Sequence, residues 1–434
     1  MSPELTGLLG MAILFVLLGL RIPVAFAMFA VGFAGNWALN SFNAATSQLA
    51  SDTFSLASKA ELVVVPLFIL MGNVATETGM SRKLYDAAYA TIGSIRGGLA
   101  SATIVASGGF AALSGSSVAS ALTIGRVSLG EMQRFDYDPR LSTGSVAAGG
   151  TLGMLIPPST GFVIYALLTQ ESIGRLFLAG VLPGLLLLAM FILTVSLLTW
   201  RNPGYGPAGP HTSLAEKGRA LTGAAPILAV IVLTIGGIYG GIFSPVEAAA
   251  VGAGLISLFG VLMRKLTLAT FWKASKDSVV TTAMVMLILI SAYMIKTFLA
   301  LSHIPHALGT YLDTLALPAV GVLAIMMAIY LVLGCFLEGF AMMVLSMPIF
   351  FPVVISLGID PIWFGVLVVM TLEMGMISPP VGLNVFIVKS VAREVPLGQI
   401  FRGVFPFWLA MLVTLVLLVA FPQIALFLPN TMIN

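Results

Sequence analysis

Charge is scarce in this chain. Of its 434 residues only 9% are Asp, Glu, Lys or Arg, against 59% hydrophobic, where a soluble globular chain carries about 25% charged residues. Water is therefore excluded as its main solvent. Cysteine is almost absent too: Cys335 stands alone, so no internal disulfide can form. The three histidines, His211, His303 and His306, belong to no Cys/His/Asp cluster, which argues against a metal centre of that kind. No glycine-rich loop ends in Gly-Lys-Ser or Gly-Lys-Thr, so the chain carries no ATPase phosphate loop. No histidine or lysine stands where it would act as base to a serine, and an enzyme is not expected. The formal charge of +3 is too small to suggest nucleic-acid binding. A basic residue is also missing before the first apolar run. Although Ala25-Phe26-Ala27 resembles a cleavage site, Glu4 precedes the run and the apolar character continues past it, so the segment reads as a span and not a signal peptide.

What is present is a series of long apolar runs. Spans are expected at Leu5 to Leu20, Ile22 to Leu39, Leu62 to Met80, Leu176 to Trp200, Ala224 to Gly241, Val246 to Met263, Val279 to Ala300 and Val404 to Leu428, since about 20 apolar residues cross the hydrocarbon core. Four further apolar segments are interrupted. Residues 97–132 and 317–357 are broken near their middles by Ser114-Gly115-Ser116-Ser117 and by Glu338-Gly339. Residues 141–170 and 362–391 are broken by Pro157-Pro158 and Pro379-Pro380. Paired prolines end a helix, and irregular backbone at membrane depth is tolerated only where protein buries it or a wet cavity touches it. The four breaks therefore point to a transport pathway.

Basic loop residues set the topology. If 97–132 and 317–357 are re-entrant hairpins and 141–170 and 362–391 are broken spans, nearly all lysines and arginines fall on the cytoplasmic side, with Lys59 and Arg175 as outside exceptions. Both termini, Met1 and Asn434, are then periplasmic. A shift of 222 residues takes Pro157-Pro158 onto Pro379-Pro380, Gly153 onto Gly375, and Ser116-Ser117 onto Glu338-Gly339. The expected architecture is an all-α integral membrane protein built as an inverted repeat, residues 1–200 and 224–434, joined by a cytoplasmic linker at 201–223. Each half holds five crossings, and an odd number inverts the second copy.

Helix N-termini at the breaks attract anions, while C-terminal ends and unwound carbonyls coordinate cations. Ser114, Ser116 and Ser117 add hydroxyls at the first tip. Small residues there also permit close helix packing, and both readings stay open. Charged residues within apolar segments are costly and are functional candidates. Glu338 and Glu373 are the leading ones, although either could serve as a protonated hydrogen-bonding group. Glu247, three residues after Ser244, reads as a helix cap. Lys296 and Arg126 are expected to snorkel or to pair with a neighbour.

Pro66-Leu67-Phe68-Ile69-Leu70-Met71-Gly72, Ser114-Gly115-Ser116-Ser117-Val118-Ala119, Gly150-Thr151-Leu152-Gly153 through Ile156-Pro157-Pro158-Ser159, Gly240 through Ala250 and Ser378-Pro379-Pro380-Val381-Gly382-Leu383-Asn384 occur in order. Together they resemble the large membrane subunit of tripartite ATP-independent periplasmic (TRAP) transporters, from about residue 5 to about residue 425. The resemblance implies an elevator-type, sodium-coupled transporter of the bacterial inner membrane that takes up an organic acid anion, such as a C4-dicarboxylate or sialic acid. It also implies a small four-helix membrane subunit, expected on a separate chain, and a periplasmic substrate-binding protein. Carried onto this sequence, one sodium site uses Ser114 and Ser116 with Gly153, Ile156 and Pro158; the other uses Gly339, Gly375, Met376, Ser378 and Pro379. Substrate is expected near Ser116, Ser117, Thr160, Glu338 and Asn384. No organic cofactor is implied. Arg126 departs from a position otherwise small or apolar in that family, and its role stays open. A stand-alone divalent-anion/sodium symporter shares the inverted repeat but needs no binding protein, and is the alternative.

Overall fold

The computed structural model describes residues 2–20, 22–305, 307, 318–335, 337 and 339–432. Of the positions singled out above, Met1, His306, Leu317, Glu338 and Asn434 lie outside the described residues. The described chain is helical. Among the described residues eight segments are long and apolar enough to cross a membrane, which makes this a multi-pass membrane protein.

Two groups of helices pack into one body. The first holds α1 (Pro3–Gly19), α2 (Val24–Leu39), α3 (Phe42–Ala57), α4 (Val64–Glu77), α11 (Leu214–Tyr239), α12 (Pro245–Leu262) and α13 (Leu268–Leu301). Here α13 lies against α2 and α4, and α12 against α4 and α11. Polar side chains fix these crossings: Asn36 Nδ2 donates to the Met294 carbonyl at 3.1 Å, and Ser291 Oγ donates to that of Ala25 at 2.8 Å. The second group holds α6 (Gly98–Ser114), α7 (Ser117–Arg134), α8 (Pro139–Leu155), α9 (Thr160–Thr169) and α10 (Ile173–Arg201), with α14 (Ala319–Gly334), α15 (Gly339–Ser356), α16 (Pro361–Met376), α17 (Leu383–Val391) and α18 (Leu397–Ala420). In it α8 packs on α6, α7 and α18, while α14 packs on α16. Helix α5 (Met80–Ile92) joins the groups by touching both α6 and α11, and α19 (Gln423–Asn430) lies on α10.

Several helices begin away from where hydropathy places them, because capping chemistry and not apolarity sets their ends. Helix α11 starts at Leu214, inside the segment read as a linker, since Ser213 and Glu216 form a reciprocal capping box there. Helix α13 starts at Leu268 rather than Val279, behind the Thr267 cap, and its added turns are held by a 2.9 Å ion pair between Lys273 and Glu77. The last apolar run divides into α18 and α19 at Phe421-Pro422. Helices α3 and α5 are too polar to stand out as spans. Glu247 caps α12 as expected, with Ser244 Oγ and the Ser244 backbone N–H both donating to its carboxylate at 2.8 Å.

The polar stretch after α10 is pinned down. The Gly97 and Gly209 amides pair with the Gly206 and Gly93 carbonyls at 2.8 and 3.0 Å, and Asp138 N–H donates to the Tyr205 carbonyl at 3.0 Å. Asp138 also caps α8, and Arg140 donates to its carboxylate through Nε and Nη2 at 3.0 and 2.8 Å. Those Arg140 bonds hold the Asp138 carboxyl below the ordinary carboxylate range. A depressed folded-state pKa contributes stability above the unfolded value of about 3.9, and that stability is lost as pH falls through the folded one. Asp138→Ala is expected to remove about 1 kcal/mol at neutral pH. A lowered unfolding temperature in detergent, with the deficit shrinking at acid pH, checks this; an unchanged temperature at pH 7 contradicts it.

Candidate functional site

Four helix pairs are interrupted, and the interruptions converge. The first pair, α6 and α7, parts at Gly115 and Ser116. Gly115 adopts φ +58°, a left-handed value that favours glycine, and Ser116 caps α7 by accepting from Ala119 N–H at 3.3 Å. The second pair, α8 and α9, parts at residues 156–159, where Pro157-Pro158 is cis. Ser159 caps α9, and its hydroxyl donates to the Met154 carbonyl. These two breaks touch. Thr160 donates to the Gly115 carbonyl through Oγ1 at 2.7 Å and N–H at 3.3 Å. A Cβ on Gly153 would lie 2.5 Å from the Ser116 carbonyl carbon and oxygen, so only glycine lets α8 approach this tip.

The second set repeats the close approach. Helix α14 ends at Gly334, and a Cβ on Gly375 of α16 would lie 2.6 Å from the Gly334 Cα. The chain then breaks at residues 377–382, again with a cis pair, Pro379-Pro380. Ser378 Oγ donates to the Met374 carbonyl at 2.6 Å and accepts from Trp408 Nε1 at 2.9 Å.

A cavity of about 410 Å³ opens where the tips meet, within the ~300–1,000 Å³ range of small-molecule sites. Ser114, Ser116, Ser117 and Thr160 of the first set line it together with Gly339 and Met376 of the second. Gly153 and Pro158 sit behind the first tip, in contact with it. Ile156, Gly375, Ser378, Pro379 and Asn384 are not in the wall. Asn384 is completely buried, whereas Pro379 is exposed. The wall includes residues that sequence reading missed: Asn73 and Thr76 on α4, and Thr281 on α13. Asn73 directly follows the Pro66–Gly72 motif, and its polarity inside an apolar run was the available signal. It donates to Ser278 Oγ at 2.9 Å, which fixes α4 to α13. A separate cavity of about 440 Å³ between α5, α6, α10 and α11 has an almost wholly apolar wall that includes Ile156 and Pro157, and it offers nothing to a charged ligand.

Glu373 enters from α16. It is completely buried, and one carboxylate oxygen accepts from Ser117 Oγ, so the first tip is tied to the second broken helix. Among the described residues no group of three His, Cys, Asp or Glu side chains gathers as a metal site would require.

Two solved structures of similar shape are transporters. The Alcanivorax borkumensis YdaH transporter superposes with a TM-score of 0.63 over 87% of this chain and 88% of its own, at 14% identity. Neisseria gonorrhoeae MtrF, of a class of antimetabolite efflux pumps, superposes with a TM-score of 0.53 over 87% of this chain and 83% of its own, at 13% identity. At those identities they establish the fold alone. Sequence relatives carry more. The C4-dicarboxylate TRAP transporter large permease protein DctM of Pseudomonas aeruginosa is 38% identical over 88% of this chain and 89% of its own. The sialic acid TRAP transporter large permease protein SiaM of Vibrio cholerae is 34% identical over 94% and 95%. The ectoine/5-hydroxyectoine permease UehC of Ruegeria pomeroyi is 32% identical over 95% and 96%. The family model for the DctM component of tripartite ATP-independent periplasmic transporters matches residues 11–424, and this chain, a transport permease and not an enzyme, belongs to that family.

Proposed function

We propose that this chain is the large permease of a sodium-coupled TRAP system of the bacterial inner membrane, which imports an organic acid anion by an elevator movement. The observation that carries the reading is the 410 Å³ cavity walled jointly by the first tip, Gly339 and Met376, and bounded on its other side by α4 and α13. In an elevator, the helix pairs with interrupted backbone move as a unit past a fixed scaffold. The group built on α6 to α10 and α14 to α18 is the natural moving unit, and the group around α4, α12 and α13 the scaffold. The two interrupted sets are read as the inverted repeats, each with a re-entrant hairpin. Substrate would contact Ser116, Ser117 and Thr160. Sodium would be held by carbonyls where Gly153 and Gly375 bring the helices close.

Relatives named for C4-dicarboxylate and sialic acid transport support a carboxylate as the substrate. A separate periplasmic binding protein would select and deliver it, and a small membrane subunit would brace the scaffold. Reconstitution in liposomes tests the assembly. Uptake of a radiolabelled ligand of the cognate binding protein is expected only when that protein, the small subunit and this chain are all present with an inward sodium gradient. Saturable uptake by this chain by itself would favour the stand-alone symporter.

A further inference from the structure

Among the described residues, Glu373 is the one carboxyl side chain that is completely buried. An ionised carboxylate offers about four lone-pair sites. Ser117 Oγ fills one on Oε1, and Oε2 has no partner. No lysine, arginine or histidine among the described residues pairs with it. Asn384 is also completely buried, and both polar atoms of its amide lack partners. Buried polar groups are almost always satisfied, so two such orphans in one region call for a ligand.

Helix packing brings these groups together. Helix α17 lies along α7, and its C-terminal Val391 shares a cleft with Gly125, Arg126 and Leu129 of α7. Counting back along both helices, which rise about 1.5 Å per residue, sets Asn384 beside the first turn of α7, where Ser117 sits. The two helices run the same way, because Met376 at the end of α16 shares the tip cavity with Ser117 and a Cβ on Gly382, just before α17, would lie 3.4 Å from the Ile377 carbonyl carbon, so α17 begins next to the carboxylate that Ser117 contacts. The donors this leaves are a carboxylate oxygen, a hydroxyl oxygen and an amide oxygen, all hard ligands. One negative charge balances one positive charge, whereas a divalent ion would leave an excess buried charge.

We propose that Glu373, Ser117 and Asn384 form a binding site for a monovalent alkali cation, sodium under transport conditions, separate from the two carbonyl-built sites considered above. The proposal rests on sodium coupling as read in the preceding subsection. The ion would neutralise Glu373 and couple the first tip to the second broken helix, so that its occupancy orders both halves around the cavity.

Binding of ²²Na⁺ to the purified full-length chain, with potassium and choline as competitors, tests this without any transport step. Glu373→Gln keeps an oxygen that accepts from Ser117 but removes the charge. It is expected to bind one sodium fewer per chain than the parent while keeping the remaining sites. Asn384→Ala keeps the charge and is expected to weaken one class of site by roughly 10- to 100-fold. Should Glu373→Gln fail to fold, the Asn384→Ala isotherm decides: one weakened class supports the site, and a parent-like isotherm overturns it. A parent-like stoichiometry in folded Glu373→Gln overturns this site alone and leaves a purely structural clamp to Ser117. Absence of saturable sodium binding by the parent overturns this site together with sodium coupling itself.

Discussion

Replacing Gly153 by alanine is expected to cut uptake by about 100-fold, the order of loss that follows a ~1 Å misplacement at a binding constellation. The new Cβ would meet the Ser116 carbonyl at 2.5 Å and the Ser117 amide nitrogen at 2.6 Å. Both are backbone atoms, so no side-chain rotation relieves the clash and the tip itself must retreat. Its retreat would pull Ser116 and Ser117 out of the cavity wall and stretch the contact from Ser117 to Glu373. Gly375→Ala should behave alike, because there the obstacle is the Gly334 backbone at 2.6 Å. Gly254 in α12 is the matched control: nothing lies within 4 Å of a Cβ there, and alanine in a helix interior is favoured over glycine by up to ~1 kcal/mol. Gly254→Ala should therefore transport normally. Overpacking also costs roughly 1–3 kcal/mol of stability, so uptake is to be normalised to folded protein in the membrane. Normal uptake by Gly153→Ala would show that the first tip does not need this contact.

Much of this site was legible because its determinants are local in sequence. Paired prolines end helices wherever they stand, so the breaks at Pro157-Pro158 and Pro379-Pro380 could be placed from the chain alone. The serine tip follows equally, since Ser116 caps the helix that it precedes. What could not be read is which tip faces which helix. Gly339 approaches Met154 of the first set, and Ser117 reaches Glu373 of the second, contacts between residues far apart in sequence that no spacing encodes. Asn73, Thr76 and Thr281 were missed for the same reason: each sits on an apolar helix whose neighbours are set by tertiary packing. Helix starts misplaced from hydropathy, at Leu214 and Leu268, were recoverable from Ser213/Glu216 and Thr267, because capping acts through the backbone and does not depend on where the membrane lies.

Exchanging sodium for choline, at fixed membrane potential and proton gradient, is expected to reduce uptake to the level of protein-free liposomes. Among the described residues, the wall of the tip cavity carries hydroxyls, the Asn73 amide and apolar groups but no charged side chain. A carboxylate entering it leaves water for a medium in which an unpaired charge costs several kcal/mol. Helix N-termini at Ser117 and Thr160 face this region, yet each supplies only about half an elementary charge, and hydroxyl hydrogen bonds add no net charge at all. Mobile cations bound beside the tips would supply what is missing, and in doing so they would tie anion movement to the sodium gradient. Because substrate and ions would then share one set of tips, the sodium dependence of uptake should be sigmoidal. Ser116→Ala, which removes a hydroxyl at the first tip and with it the α7 cap, should shift its midpoint to higher sodium when uptake is normalised to folded protein. Uptake that proceeds equally in potassium or choline would remove sodium as the coupling ion and leave the charge of the substrate to be balanced by another cation.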